Sequence, residues 1–435
     1  VAKKASRTSR KSEPLSYDDR MKWFTHERFG MFIHWGLYAI PARGEWVRNR
    51  ESLTIEQYQP YFDEFNPVNY DPREWASIAR AAGQTYAVMT AKHHDGFCLF
   101  DSKLTDYKST NTPAGRDLIR QYVDAFREAG LKVGFYYSLL DWHHPDYPVV
   151  GDSKHPMRNN AEFQAKMKKQ DFSRYVDYLH GQVRELLTNY GRIDVIWFDF
   201  SYEKLSGEAW RAAELVEMVR SLQPGIIIDN RLTAGHMNLD ALGELGDFAS
   251  PEQIVPSEGM VNSKGQPVPW EACITMNRSW GYNRDDHDFK SAGQVVRMLV
   301  ECVSKGGNLL LNVGPTALGE IQPEFEAILM DVGGWMDRNG ESIYGCSRAD
   351  LPKPEWGYYT QKGKTLYAHI INRPVGPISL PGLGGKIARA RMLSDGSEVN
   401  ISKPWNADYA TNAFMQFGGA GLPDPFDTVV RLDLL

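Results

Sequence analysis

Apolar and polar positions along this chain fall into short blocks whose period keeps changing. Between Asp194 and Phe200 the run Val195-Ile196-Trp197-Phe198 is too short for a helix and is bounded by acids. That is the pattern of a strand buried on both faces. Similar runs occupy 29–33, 86–91, 133–137, 226–228 and 308–313, with weaker candidates at Asp247-Phe248 and 273–276. Helical spacing separates them: 17–27, a helix capped by Asp71 and running through Trp75, Ile78 and Ala82, then about 117–129, 161–189, 209–222 and 291–304. Gly130, Gly191 and Pro224 stop three of these. From Pro41 to Asn66 the chain is irregular and largely polar, and no element is predicted there.

Buried strands alternating with helices predict an α/β fold with a parallel sheet, and eight strands in about 300 residues predict a (β/α)8-like barrel. The support is positional. His34, His93, His94, Tyr137, Asp199, Arg231 and Glu252 all fall at or just after strand ends, which share one face in a barrel. An open doubly wound sheet is the alternative, but no GxGxxG or phosphate loop follows the first strand. Helices are missing after the fifth and sixth strands, so the barrel is expected to be irregular there. From about Gly345 helical spacing ends, and runs such as Thr365-Leu366-Tyr367-Ala368-His369-Ile370 sit between Pro and Gly clusters. The expected organisation is a tail at 1–15, the barrel over 16–344, and a C-terminal antiparallel β-sandwich over 345–435.

Composition narrows the function classes. With 42% hydrophobic and 24% charged residues the chain reads as soluble and globular. A net charge of −6 without a long basic stripe argues against nucleic acid as a partner. No run of 18 apolar residues exists, so no membrane helix is expected. Cys98, Cys273, Cys302 and Cys346 are far apart and read as buried thiols, neither a zinc site nor a disulfide scaffold. Residues 1–11 are basic and rich in Ser and Thr but lack a secretory apolar core, so a cytoplasmic location is expected. The absent initiator Met leaves upstream processing open, as composition leaves homo-oligomerisation.

Asp199 lies among Trp197, Phe198 and Phe200, where a carboxylate is costly unless paired. A cap or a strand-end ion pair is its bland reading. The wider set of motifs changes that. Phe29-Gly30-Met31-Phe32-Ile33-His34-Trp35-Gly36, Gly44-Glu45-Trp46, Ala91-Lys92-His93-His94-Asp95-Gly96-Phe97, Tyr136-Tyr137-Ser138, Trp197-Phe198-Asp199 and Ser304-Lys305-Gly306-Gly307-Asn308-Leu309-Leu310-Leu311-Asn312-Val313-Gly314-Pro315 occur in this order. Together they resemble glycoside hydrolase family 29, the α-L-fucosidases, over about residues 20–345. The resemblance implies an irregular barrel with a C-terminal β-sandwich, and retaining hydrolysis of terminal α-L-fucosyl residues by two carboxyl groups. Asp199 matches the family's nucleophile. The acid/base segment varies, and Glu252 in Gly246-Asp247-Phe248-Ala249-Ser250-Pro251-Glu252-Gln253 is the choice, with Glu271 and Glu258 as competitors.

The same resemblance implies that His34, Glu45, Trp46, His93, His94, Tyr137, Trp197 and Arg231 line the sugar pocket, with Glu271 supporting it and pairing with Arg278. Sugar hydroxyls want both donors and acceptors, which these residue types supply. No cofactor or metal is expected, because neighbouring His93 and His94 on a strand would point to opposite faces. Asp95 and Asp141 read as caps or ion-pair partners, and Trp142, His143 and His144 as a border on the aglycone side. Two other functions compete: a fucose-binding protein without catalysis, which would lack one carboxylate, and a metal-dependent barrel hydrolase, which chelation would silence. A fucosylated glycan is the expected partner in the leading case.

Overall fold

The computed structural model describes residues 15–149, 152–167, 169–233, 239–402, 411–418 and 421–435. The N-terminal tail lies outside the described residues, apart from Leu15. Helix α1 (Tyr17–Glu27) leads into seven parallel strands: β1 (Phe29–Ile33), β2 (Tyr86–Lys92), β3 (Lys132–Ser138), β4 (Val195–Asp199), β5 (Ile227–Ile228), β6 (Glu271–Thr275) and β7 (Asn308–Val313). Their order is β5-β4-β3-β2-β1-β7-β6. The edge strands β5 and β6 are joined by an irregular segment instead of an eighth strand. Phe248 bridges Asp229, while Ala249 and Glu252 bridge Trp270 and Cys273, all in parallel register. The barrel therefore closes around eight positions, one of them held by residues 247–252. Pro251 has no N–H for a regular ladder, and a Cβ on Gly246 would lie 2.6 Å from the Asp229 carbonyl oxygen.

The helices pack outside this ring: α2 (Val47–Arg50), α3 (Ile55–Glu64), α4 (Pro72–Ala81), α5 (Leu118–Glu128), α6 (Ala161–Lys166), α7 (Phe172–Asn189), α8 (Ala212–Leu222), α9 (Ala292–Ser304) and α10 (Pro323–Asn339). Asp71 caps α4 by accepting from the Arg73 amide at 2.9 Å. The predicted helix over 161–189 is two helices, and Asp171 caps the second by accepting from Ser173. Helix α3 was not expected. Its signal is a Thr54/Gln57 capping box, masked by the surrounding polar residues. All four cysteines are buried. No helix among the described residues is long and apolar enough to cross a membrane.

Two apolar layers result. One lies between strands and helices. The other fills the barrel with Phe32, Tyr86, Val88, Tyr136, Val195, Trp197, Ile227 and Leu310, plugged from below by Met21 and Phe24 of α1. The rest of the chain forms antiparallel sheets from β8 (Ser347–Arg348), β9 (Gly357–Lys362), β10 (Thr365–Ile370), β11 (Ile378–Leu380), β12 (Ile387–Met392), β13 (Asn400–Ser402), β14 (Ala413–Gln416) and β15 (Thr428–Leu434). One sheet has the order β12-β15-β10-β9-β8 and the other β11-β14-β13, around their own apolar cluster.

Candidate active site

Side chains alternate across a strand, so every second residue of β1 to β7 enters the barrel. On β4 the inward residues include Trp197 and then Asp199 at the C-terminal end. On β3 the matching residue is Tyr136. Its hydroxyl donates to Asp199 Oδ2 at 2.6 Å. Arg231, just past β5, donates from Nη1 to Asp199 Oδ1 at 2.8 Å and lies 3.0 Å from Glu252 Oε2. One nitrogen thus touches both carboxylates, which puts those two oxygens no more than about 6 Å apart, a bound that admits the roughly 5–5.5 Å of a retaining carboxyl pair.

Arg231 is held in turn. Its Nε donates to Ser250 Oγ at 3.0 Å and Nη2 to the Ser250 carbonyl at 3.1 Å, while the guanidinium lies 4.8 Å from the Trp197 ring. Burial is the largest influence on Asp199 and pushes its carboxyl up. The Arg231 charge is the largest influence against it, joined by His94 and by the hydrogen bonds from Tyr136 and Arg231, and the group is held below the usual carboxylate range. The two carboxylates differ in access: the Asp199 side chain is 8% exposed, that of Glu252 42%.

His34, His93, His94, Glu45 and Trp46 line the same pocket with Trp197, Arg231, Asp199 and Glu252. Asn312 donates from Nδ2 to the Trp280 carbonyl at 2.7 Å, so its oxygen faces His34 Nδ1, also at 2.7 Å. His34 therefore carries its proton on Nδ1, and Nε2 is an acceptor. Ser138 Oγ donates to the Leu140 carbonyl at 2.9 Å and so accepts from His94 Nδ1 at 2.6 Å, which leaves His94 Nε2 an acceptor too. Burial pushes His34 down to about 4, His94 down to about 3, and His93 well below the ordinary histidine value. All three are neutral near pH 7. Burial also raises Glu45, opposed by the Gly281 amide that donates to its Oε2 at 2.9 Å.

Two expected pocket residues lie elsewhere. Tyr137 faces out of the barrel, donating to Gln182 Oε1 at 2.8 Å beneath the Lys92 ammonium. Its inward neighbour Tyr136 lines the pocket instead, a one-residue shift that reverses the face. Glu271 does point inward, but from the first residue of β6, at the opposite end of the barrel. It accepts from the Tyr86 hydroxyl and from Trp197 Nε1, the latter at 3.1 Å. Arg278 pairs with Asp288, not with Glu271. Glu258 is also remote, lining a hollow of about 230 Å³ beside Arg348 and Tyr358.

Other residues sort as structural. Asp141 pairs with buried Lys92 at 3.0 Å, and Asp95 accepts from Tyr58 at 3.0 Å. Trp142 is buried behind Trp46 and His94, and His143 stacks on Tyr107, so neither borders the pocket. His93 and His94 both face it, because they follow β2 and escape strand alternation. No group of three metal-ligating side chains exists among the described residues. Phe32, Tyr136, Phe200, Cys273 and Trp280 also line the pocket. Counting inward positions on β3 identifies Tyr136. Trp280 follows no such rule, since a loop beyond β6 carries it.

Comparison with known proteins agrees with this architecture. The α-L-fucosidase family model matches residues 1–341. The chain belongs to the α-L-fucosidase family. It is 30% identical over 375 residues to the tissue α-L-fucosidase of Homo sapiens, covering 81% of this chain and 76% of that one. α-L-Fucosidase isoenzyme 1 from Paenibacillus thiaminolyticus superposes with a TM-score of 0.94 at 63% identity, covering 97% of this chain and 100% of the other. A family 29 α-L-fucosidase from Bacteroides thetaiotaomicron is 30% identical with a TM-score of 0.84, each chain covered to 98%. That structure is a trapped covalent intermediate with 2-fluoro-fucosyl fluoride in a Glu-to-Gln mutant. The chain thus shares both its barrel and its β-sandwich with family members.

Proposed function

We propose that this family member is an exo-acting retaining α-L-fucosidase, with Asp199 as nucleophile and Glu252 as acid/base, acting on terminal fucose of glycans or glycoconjugates. The observation that carries the reading is the pair of carboxylates within 3.0 Å of a single Arg231 nitrogen. An ionised, fixed carboxylate at the pocket floor suits a nucleophile. A carboxyl at the exposed rim suits a group that meets both the leaving oxygen and water. In the first step Asp199 attacks the anomeric carbon as the bond to the leaving oxygen breaks, and Glu252 gives that oxygen its proton. In the second step Glu252 takes a proton from water, whose oxygen attacks the same carbon and releases Asp199. Glu252 Oε2 lies beside Arg231, so the proton it gives to the leaving oxygen is carried on Oε1.

The neutral histidines hold sugar hydroxyls. Nε2 of His34 and of His94 accept, and Trp197 and Trp280 offer apolar surface to the methyl group of fucose. Nothing in this scheme calls for a metal, and activity is expected to survive exhaustive chelation. Wild type, Asp199→Ala and Glu252→Ala are to be assayed with chelator on an aryl α-L-fucoside and on a fucosyl disaccharide. Asp199→Ala should be inactive on both. Glu252→Ala should lose about 10²–10⁴-fold on the disaccharide, the usual worth of general acid catalysis, and far less on the activated aryl substrate. Equal losses on both would remove Glu252 from the acid/base role.

A further inference from the structure

Phe200, directly after the nucleophile, has φ +71°, in the left-handed region that a bulky residue avoids. Glycine would occupy this position without strain. The Phe200 amide donates to Asp199 Oδ1 at 3.0 Å, a contact any residue's backbone could make. The ring needs a separate reason. It stands edge-on to His94 at 4.6 Å, near Trp46 at 5.4 Å and Tyr202 at 6.0 Å, and is only partly buried.

Burial orders the pocket from floor to mouth. His34, His93, His94, Tyr136, Trp197 and Asp199 are buried, whereas Trp46, Phe200 and Trp280 are half-buried and Glu252 is exposed. The leaving group must lie next to the acid, and therefore at the mouth. We propose that Phe200, with Trp46 beside it, forms an aglycone wall that favours leaving groups presenting a flat apolar face, such as a pyranose ring or an aryl group. This inference rests on the α-L-fucosidase reading above. It assigns to Phe200 a specificity role separate from the support its amide gives to Asp199.

The test compares kcat/KM for a pyranose aglycone, in an α-L-fucosyl disaccharide, with that for α-L-fucosyl fluoride, whose leaving group is one atom. Wild type, Phe200→Gly and Phe200→Asn are measured. Both replacements tolerate the left-handed backbone and keep the amide, and neither has an apolar ring. The fluoride corrects each variant for damage to the nucleophile. The disaccharide-to-fluoride ratio should fall about 3–10-fold in both variants, the size of one lost ring-stacking contact. An unchanged ratio, whether both rates fall together or neither does, would overturn the aglycone role and leave the fucosidase reading intact. A folded wild type inactive on the fluoride would overturn both.

Discussion

At the scale of single residues, Glu271 shows how the barrel interior sets a group's protonation. Burial raises its carboxyl from 4.5 to about 7, opposed by the hydrogen bonds from Tyr86 and Trp197. An acid raised on folding holds its proton more tightly in the folded state, so its ionisation penalises folding as pH climbs. Below about pH 4.5 both states are protonated and the group contributes nothing. Between 4.5 and 7 the penalty grows, to about 3 kcal/mol at most, and it is constant above 7. Glu271→Gln removes this titration. Its stability relative to wild type should rise from pH 4.5 to pH 7 and then level off, as read from urea midpoints across that range. A flat difference would mean that Glu271 is ionised throughout. The residue's identity as an acid near the site was legible in the sequence, but its depth was not. Position along a strand decides between pocket and barrel floor, and Glu271 opens β6 whereas Asp199 closes β4. Tyr136 and Tyr137 differ by one residue and by the whole width of the sheet. A motif records neither the face that Tyr137 takes nor the depth at which Glu271 sits.

At the scale of elements, the segment 247–252 is the least regular part of the barrel and carries the proposed acid/base. Buried Asp247 anchors it. Its carboxylate accepts from Arg20 at 2.9 Å, Arg220 at 3.2 Å and the Ile228 amide at 3.0 Å, and its carbonyl accepts from Tyr17 at 2.8 Å. Helix α1, helix α8 and strand β5 are thereby tied to one side chain. Asp247→Asn should cost about 3–5 kcal/mol, because buried Arg20 and half-buried Arg220 lose their counter-charge. It should also lower kcat/KM on the disaccharide more than on the aryl fucoside, since Glu252 lies five residues downstream. Lost stability with an unchanged substrate ratio would show that Ala249 and Glu252 hold their ladder without the anchor. The six clear strands were legible because each is a short apolar run flanked by polar residues. This segment was legible only as a weak strand. Its two polar ends, Gly246 and Pro251 leave no apolar run to detect, and its place is set by partners on three other elements.

At the scale of the whole molecule, a buried seam joins the barrel to the antiparallel sheets. Trp335 of α10 is fully buried and donates from Nε1 to the Asp427 carbonyl at 3.0 Å. The Asp427 carboxylate lies 2.6 Å from His369 Nδ1, and His369 Nε2 meets Thr360 Oγ1 at 3.0 Å. Thr360 in turn donates to the Ser342 carbonyl at 2.7 Å, back on the barrel side. Arg28 donates to the Cys346 carbonyl at 2.9 Å from the other edge of the seam. The change of texture near Gly345 was legible in the sequence. The seam was not, because its members are scattered from Arg28 to Asp427 and none stands out locally. A seam this buried should make the two parts unfold together. In wild type, loss of activity and loss of near-ultraviolet circular dichroism should share one urea midpoint. Trp335→Ala removes a large buried ring and leaves the Asp427 carbonyl unpaired, at a cost of about 3–5 kcal/mol. The variant should unfold in two steps, the antiparallel sheets first and the active barrel later. Two separate midpoints already present in wild type would mean that the seam is a contact between independently stable parts, and Trp335→Ala would then shift only the barrel's.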